Sequence, residues 1–190
     1  MMKYFTPNLI AAANDWIEQT TPELRKAEKR FESAVADYRR ELERLKPRVS
    51  QAAWDFFRHG NNETGLHDAR LLSLKVGDGL NYVPDGVTPF RVNRQRTATI
   101  VEFLNYEQSF EYVFDLRRVH RISTDLFVEK ESFAKSLGDL YIYELVAINE
   151  KLLQLGFLFA TGATIGIQFE RLVFRRRRIQ RQYEPGEMYS

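Results

Sequence analysis

Cysteine is absent, which removes disulfides, thiolate metal sites and cysteine nucleophiles together and fits a reducing cytoplasm. Histidine is scarce: His59, His67 and His120 are the full set of 3, and they stand at none of the usual metal-ligand spacings. There is no Gly-x-Ser-x-Gly elbow, and Gly77-Asp78-Gly79 lacks the further glycines and the following helix of a phosphate loop. An excess of one charge is missing as well, because 28 Lys and Arg against 26 Asp and Glu leave only +2. No global field therefore advertises a nucleic-acid partner. No signal peptide is expected, since the first apolar run, 9–13, is short and soon meets Asp15 and Glu18.

The longest uncharged stretch, 152–169, approaches the length of a membrane-spanning helix. It contains Gln154, Gly156, Gly162, Gly166 and Gln168, however, and Leu153, Leu155, Phe157 and Phe159 alternate with a more mixed set. That is strand periodicity. The stretch reads as a buried β-hairpin turning at Thr161-Gly162, and no membrane partner is expected.

What is present can build a core. The 190 residues are 44% hydrophobic, with 14 Phe and 9 Tyr supplying much of the volume. Thr6-Pro7 and Thr21-Pro22-Glu23 both carry a helix-opening signal, a capping hydroxyl followed by proline. The second helix should run to about Lys46, where Pro47 stops it. Its stripe, Leu24, Phe31, Val35, Tyr38, Leu42 and Leu45, suits packing on the chain's own sheet better than a coiled-coil seam. A short helix from Ser50 to Arg58 carries Trp54, Phe56 and Phe57.

At residues 66–76 the periodicity changes from helical to extended. Leu72, Leu74 and Val76 share one face of the strand expected there, and 81–93, with two prolines and Gly86, reads as a long loop. An interior strand follows at 97–106. Phe110, Tyr112, Phe114 and Leu116 then alternate with Ser109, Glu111, Val113 and Asp115, as a half-buried strand should. Residues 129–138 read as a helical connection, followed by strands near 140–148, 152–160 and 163–175. In the last of these Ile165, Ile167 and Phe169 are out of phase with Leu172 and Phe174, which predicts a β-bulge near Glu170-Arg171.

The expected fold is α+β. A helical segment, 1–65, packs on an antiparallel meander of about five or six strands within 66–182, and 183–190 form a flexible tail.

Met2-Lys3-Tyr4-Phe5-Thr6 and Leu66-His67-Asp68-Ala69-Arg70 resemble a bacterial domain-of-unknown-function family with an MKYFT start and an LHDA motif. The resemblance covers nearly the whole chain and implies a bacterial, cytoplasmic protein with a β-rich second half. It implies no mechanism.

Two groups of residues are candidates for function. His67 and Asp68 resemble half of a metal-dependent phosphohydrolase site but lack further ligands, so they are expected to be a structural junction that bonds backbone groups. Carboxylates such as Glu102, Glu107 and Glu111 can converge across strands without being catalytic. Basic clusters are the stronger surface signal: Arg91, Arg94 and Arg96; Arg117, Arg118 and Arg121; and Arg171, Arg175, Arg176, Arg177, Arg178 and Arg181. Guanidinium forks suit carboxylate and phosphate. The third cluster is the candidate partner-binding site, and it should lie at a sheet edge because an interior position would bury charge.

The sequence reading is a non-catalytic cytoplasmic protein-interaction module without cofactor or metal; an immunity or antitoxin-like role is one concrete form. The alternatives are a nucleic-acid-binding module using the arginine-rich strand and a hydrolase around His67 and Asp68.

Overall fold

Thr6 opens helix α1 (Pro7–Ala13), its Oγ1 accepting the N–H of Leu9 at 3.3 Å. The computed structural model to which this belongs describes residues 2–13, 22–59, 65–77, 80–82, 90–92, 98–125 and 137–179. Helix α2 (Pro22–Leu45) ends in a 3-10 turn, Lys46–Arg48, that contains Pro47. Helix α3 (Gln51–His59) is capped by Ser50, whose Oγ accepts the N–H of Ala53 at 3.3 Å.

Ten strands follow among the described residues: β1 (Arg70–Gly77), β2 (Leu80–Tyr82), β3 (Phe90–Val92), β4 (Ala98–Leu104), β5 (Phe110–Arg117), β6 (Arg121–Asp125), β7 (Leu140–Ala147), β8 (Leu153–Phe159), β9 (Thr164–Phe169) and β10 (Arg171–Arg178). All pair antiparallel. The class is α+β, but the meander of five or six strands is corrected. Eight strands form two four-stranded sheets, ordered β1-β4-β5-β10 and β6-β9-β8-β7, and β2 with β3 makes a separate ribbon. That ribbon, pairing Asn81 with Arg91 and Tyr82 with Phe90, falls within the stretch expected to be a loop except for Leu80. The helical connection expected at 129–138 lies outside the described residues except for its last two.

The sheets are joined in two places. β5 continues into β6, and β9 into β10, so one two-stranded ribbon passes from the first sheet to the second. It turns at Arg118, which has φ 54°, opposite Glu170. The N–H of Glu170 reaches the Arg117 carbonyl at 3.2 Å, and that of His120 reaches the Gln168 carbonyl at 2.8 Å. What was read as a bulged strand over 163–175 is therefore two strands in different sheets, with the bend between them. The second junction is a bridge between Ala69 and Leu140, which ties the start of β1 to the start of β7.

The core lies between the inner faces. Phe103 and Phe114 of the first sheet meet Phe157 of the second, with ring centroids 5.0 and 6.0 Å away. Phe56 of α3 closes one side against Tyr112, Phe114, Tyr143 and Phe174. β1 departs from expectation. Leu71, Leu74 and Val76 fall in register with the inward Phe103, Val101 and Thr99, but Leu72, at the register shift between Leu71 and Ser73, leaves that face and is 48% exposed; Val76, near the strand's end, is 61% exposed.

The outer face of the second sheet is covered over β7 and β8. Register aligns Glu144, Gly156, Gly166 and Ser123 in one row. Gly156 lets the segment before α1 lie close, since a Cβ there would stand 2.7 Å from the Met2 sulfur. Glu144 receives the backbone N–H groups of Lys3, Tyr4 (2.9 Å) and Phe5 (3.3 Å). α2 covers the adjoining edge of β7. The Tyr38 hydroxyl accepts the N–H of Leu145 and a Glu41 carboxylate oxygen accepts that of Ala147, each at 3.0 Å. Two further amides of that edge are thereby satisfied. Burial of the Tyr38 phenol raises its pKa well above the usual tyrosine value.

Candidate interaction surface

The first sheet is arranged differently on its outer side. Cross-strand pairing sets four rows there: Arg70–Leu104–Glu111–Arg177, Ser73–Glu102–Val113–Arg175, Lys75–Ile100–Asp115–Val173, and Ala98–Arg117–Arg171. The face thus carries six cations against three carboxylates, Glu102, Glu111 and Asp115. Each carboxylate is held. Glu102 accepts from the Ser73 hydroxyl and from Lys75 Nζ at 2.9 Å, which keeps its pKa below the ordinary carboxylate value. Glu111 is gripped by Arg177, whose Nε lies 2.8 Å away. Asp115 is shared by Arg117 at 2.9 Å and Arg175 at 3.6 Å. Glu102 and Glu111 do converge on one face, but as anchors for cations, not as an acid–base pair; Glu107 is exposed in the β4–β5 turn.

β10 stands at the end of the sheet order, so the arginine-rich strand lies at an edge. It does not run beyond the sheet, however, since pairing with β5 extends through Arg178 opposite Phe110. Alternation divides the arginines. Arg171, Arg175 and Arg177 belong to the outer face, whereas Arg176 and Arg178 share the side of Leu172 and Phe174. Arg176 lies over the Phe110 ring, 4.8 Å from its centroid. Among the described residues, Arg171, Arg176 and Arg178 are within ion-pair distance of no carboxylate. Arg181 and the expected basic cluster members Arg94 and Arg96 lie outside the described residues, and of Arg91 only the backbone is described.

At the turn between the sheets, Glu170 holds Arg118 at 3.0 Å and His120 at 2.9 Å. These partners lower its pKa, His120 most. Arg121 begins β6 and is exposed, so the second basic cluster is divided among the outer face, the turn and the other sheet.

His67 and Asp68 sit at the Ala69–Leu140 bridge, far from any such cluster in role. Their side chains are exposed and meet each other at 2.9 Å. Backbone contact is made by the amide of Asp68, which donates to the Leu140 carbonyl at 2.8 Å. Asp68 has φ 59°, a left-handed conformation that Asp and Asn tolerate better than most residues. Among the described residues no group of three His, Asp or Glu side chains is placed to hold a metal ion. Asp68→Ala is accordingly expected to cost about 1 kcal/mol, while Asp68→Gly and Asp68→Asn cost less. Chemical denaturation of the three variants checks this order, and a Mg²⁺, Mn²⁺ or Zn²⁺ titration should leave their melting temperatures unchanged.

Among the described residues, no helix is long and apolar enough to cross a membrane. No family model, curated protein or solved structure matches the chain.

The partners on the outer face, Lys75, Glu102, Asp115 and Arg117, were not singled out together in the sequence. Their signal was available only in part: Glu111, Asp115 and Arg117 fall on one side of β5, but their assembly depends on which strands pair.

Proposed function

We propose that this protein is a non-catalytic interaction module whose working surface is the outer face and edge of the first sheet, and that its partner is an acidic protein. The observation that carries the reading is the contrast between the two sheets. The N-terminal segment lies over the outer face of the second, whereas the first presents six cations around three carboxylates that are already engaged. A surplus of ordered guanidinium groups, with half-buried Ile100, Val113 and Val173 between them, favours carboxylates presented on a protein surface. A cytoplasmic setting and kinship with the MKYFT/LHDA family belong to the same proposal, as does an immunity- or antitoxin-like role.

The test is comparative capture from a bacterial lysate, with and without nuclease. Immobilised wild type should retain a protein of low isoelectric point whether or not nuclease is added. A variant carrying Arg171→Gln, Arg175→Gln and Arg177→Gln should lose it. Retention abolished by nuclease, with a steep salt dependence in direct oligonucleotide titrations, would replace this reading with nucleic-acid binding. Identical capture by wild type and triple variant would remove the surface from consideration.

A further inference from the structure

Resting on that reading, we infer that the partner contributes an extended acidic segment that pairs antiparallel with β10 as a further strand of the first sheet. The ladder itself shows which backbone groups are available. The N–H of Ile179 donates to the Ser109 carbonyl at 2.9 Å, so in this register the odd-numbered residues of β10 point their backbone groups towards β5. The backbone groups of Leu172, Phe174, Arg176 and Arg178 therefore point to the opposite edge. Among the described residues no strand pairs there. The other edge strand in contact with the helices, β7, has the outward amides of Leu145 and Ala147 taken by Tyr38 and Glu41.

Side-chain chemistry then selects the occupant. An incoming strand places its own side chains directly across from those of β10, alternately on the two faces. Across from Arg175 and Arg177 they lie on the outer face, and across from Arg176 and Arg178 on the other. Consecutive acidic residues are thus matched at every position, while the half-buried Val173 and Phe174 favour β-branched residues further along. A second copy of this chain is disfavoured, because β10 against β10 sets arginine beside arginine. Acidic segments that add to a sheet edge take affinity from the main chain and specificity from alternate side chains.

The same arginines can serve only to guard the edge against aggregation. The two roles give opposite results with a defined probe, a peptide of about eight residues with glutamates in its first half and valine and threonine in its second. Calorimetry should show saturable binding by wild type. N-methylation of alternate peptide nitrogens that face β10 should weaken it about tenfold or more, while methylation of the intervening nitrogens should leave it within about twofold. Arg176→Pro supplies the reciprocal arm. Its N–H is on the outward side, so the β5 ladder stays intact, and binding should fall well below that of Arg176→Ala. Circular dichroism checks that both variants fold, and the methylated peptides test the idea without any variant.

Peptide binding that ignores N-methylation would overturn strand addition and leave face-to-face docking of an acidic partner standing. Absence of peptide binding, with capture by the wild-type face retained, would have the same consequence. Failure of both the peptide and the lysate capture would overturn the interaction reading too. Preferential binding of a single-stranded oligonucleotide over the peptide would assign the edge to phosphate.

Discussion

Glu144→Ala is expected to lower stability by about 3 kcal/mol, through three backbone amides that lose their acceptor. Glu144 is fully buried and takes the N–H groups of Lys3, Tyr4 and Phe5. The Lys3 amide meets one carboxylate oxygen and the other two share the second. Glu144→Gln keeps one oxygen but turns an NH₂ group towards a donor, so it should cost less, about 1–2 kcal/mol. Burial raises the Glu144 pKa, outweighing the amides that lower it. The folded state thus holds this proton more tightly than the unfolded chain. The resulting stabilisation is complete below the unfolded carboxylate pKa and is lost as pH rises through the higher folded value. Glu102 and Glu170, with lowered pKa values, work in the opposite sense, their contribution fading as pH falls through those values. Subtracting the Glu144→Gln profile from wild type isolates the first effect. Urea titrations between acid and neutral pH should show the wild-type advantage shrinking with rising pH. A constant difference would mean that Glu144 titrates as an ordinary carboxylate.

Local signals were readable in the sequence because they depend on neighbours along the chain. Thr6 and Ser50 cap the helices that they precede, and Pro47 falls where α2 gives way. The Thr161-Gly162 turn closes the β8–β9 hairpin with Gly162 at φ 85°. Alternation put Tyr112, Phe114 and Leu116 on the buried side of β5. The division into two sheets was not readable. Period-two patterning tells which residues share a side of a strand, but not which sheet receives the strand. At Glu170 the phase change signalled an interruption, and a bulge and a bend between sheets leave the same mark in sequence. β1 misled for a related reason: the register shift after Leu71 took Leu72 out of the face that Leu74 and Val76 share.

The candidate surface was half legible. A run of arginines resists burial whatever the fold, so its place at an edge followed from charge alone. Its company did not. Asp115 and Glu111 lie more than fifty residues from Arg175 and Arg177 in sequence, and only the β5–β10 register brings them together. Glu144 left a clearer trace that went unused, a carboxylate in the middle of the apolar run LYIYELVA. A charge there needs dedicated partners, and here they come from the segment before α1.

Phe114→Ala should cost about 3–5 kcal/mol, the largest single loss expected in this protein. Its ring is inaccessible and touches aromatic rings from every layer: Phe103 beside it at 6.2 Å, Phe157 of the second sheet at 6.0 Å, Phe56 of α3 at 5.8 Å and Phe174 of β10 at 5.3 Å. Relaxation into the space is limited, because the neighbours are themselves bulky packed rings. Leu72→Ala provides the contrast, with an expected change within about 0.5 kcal/mol because that side chain is exposed. The contact with Phe174 ties stability to the surface. It fixes the inward side of β10 and so presents the arginines of the strand at the edge. A double-mutant cycle between Phe114 and Phe174 should give a coupling of about 0.5–1.5 kcal/mol. Guanidinium denaturation of wild type, both single variants and the double variant measures it. Strictly additive losses would show that β10 is anchored by its ladder with β5 alone.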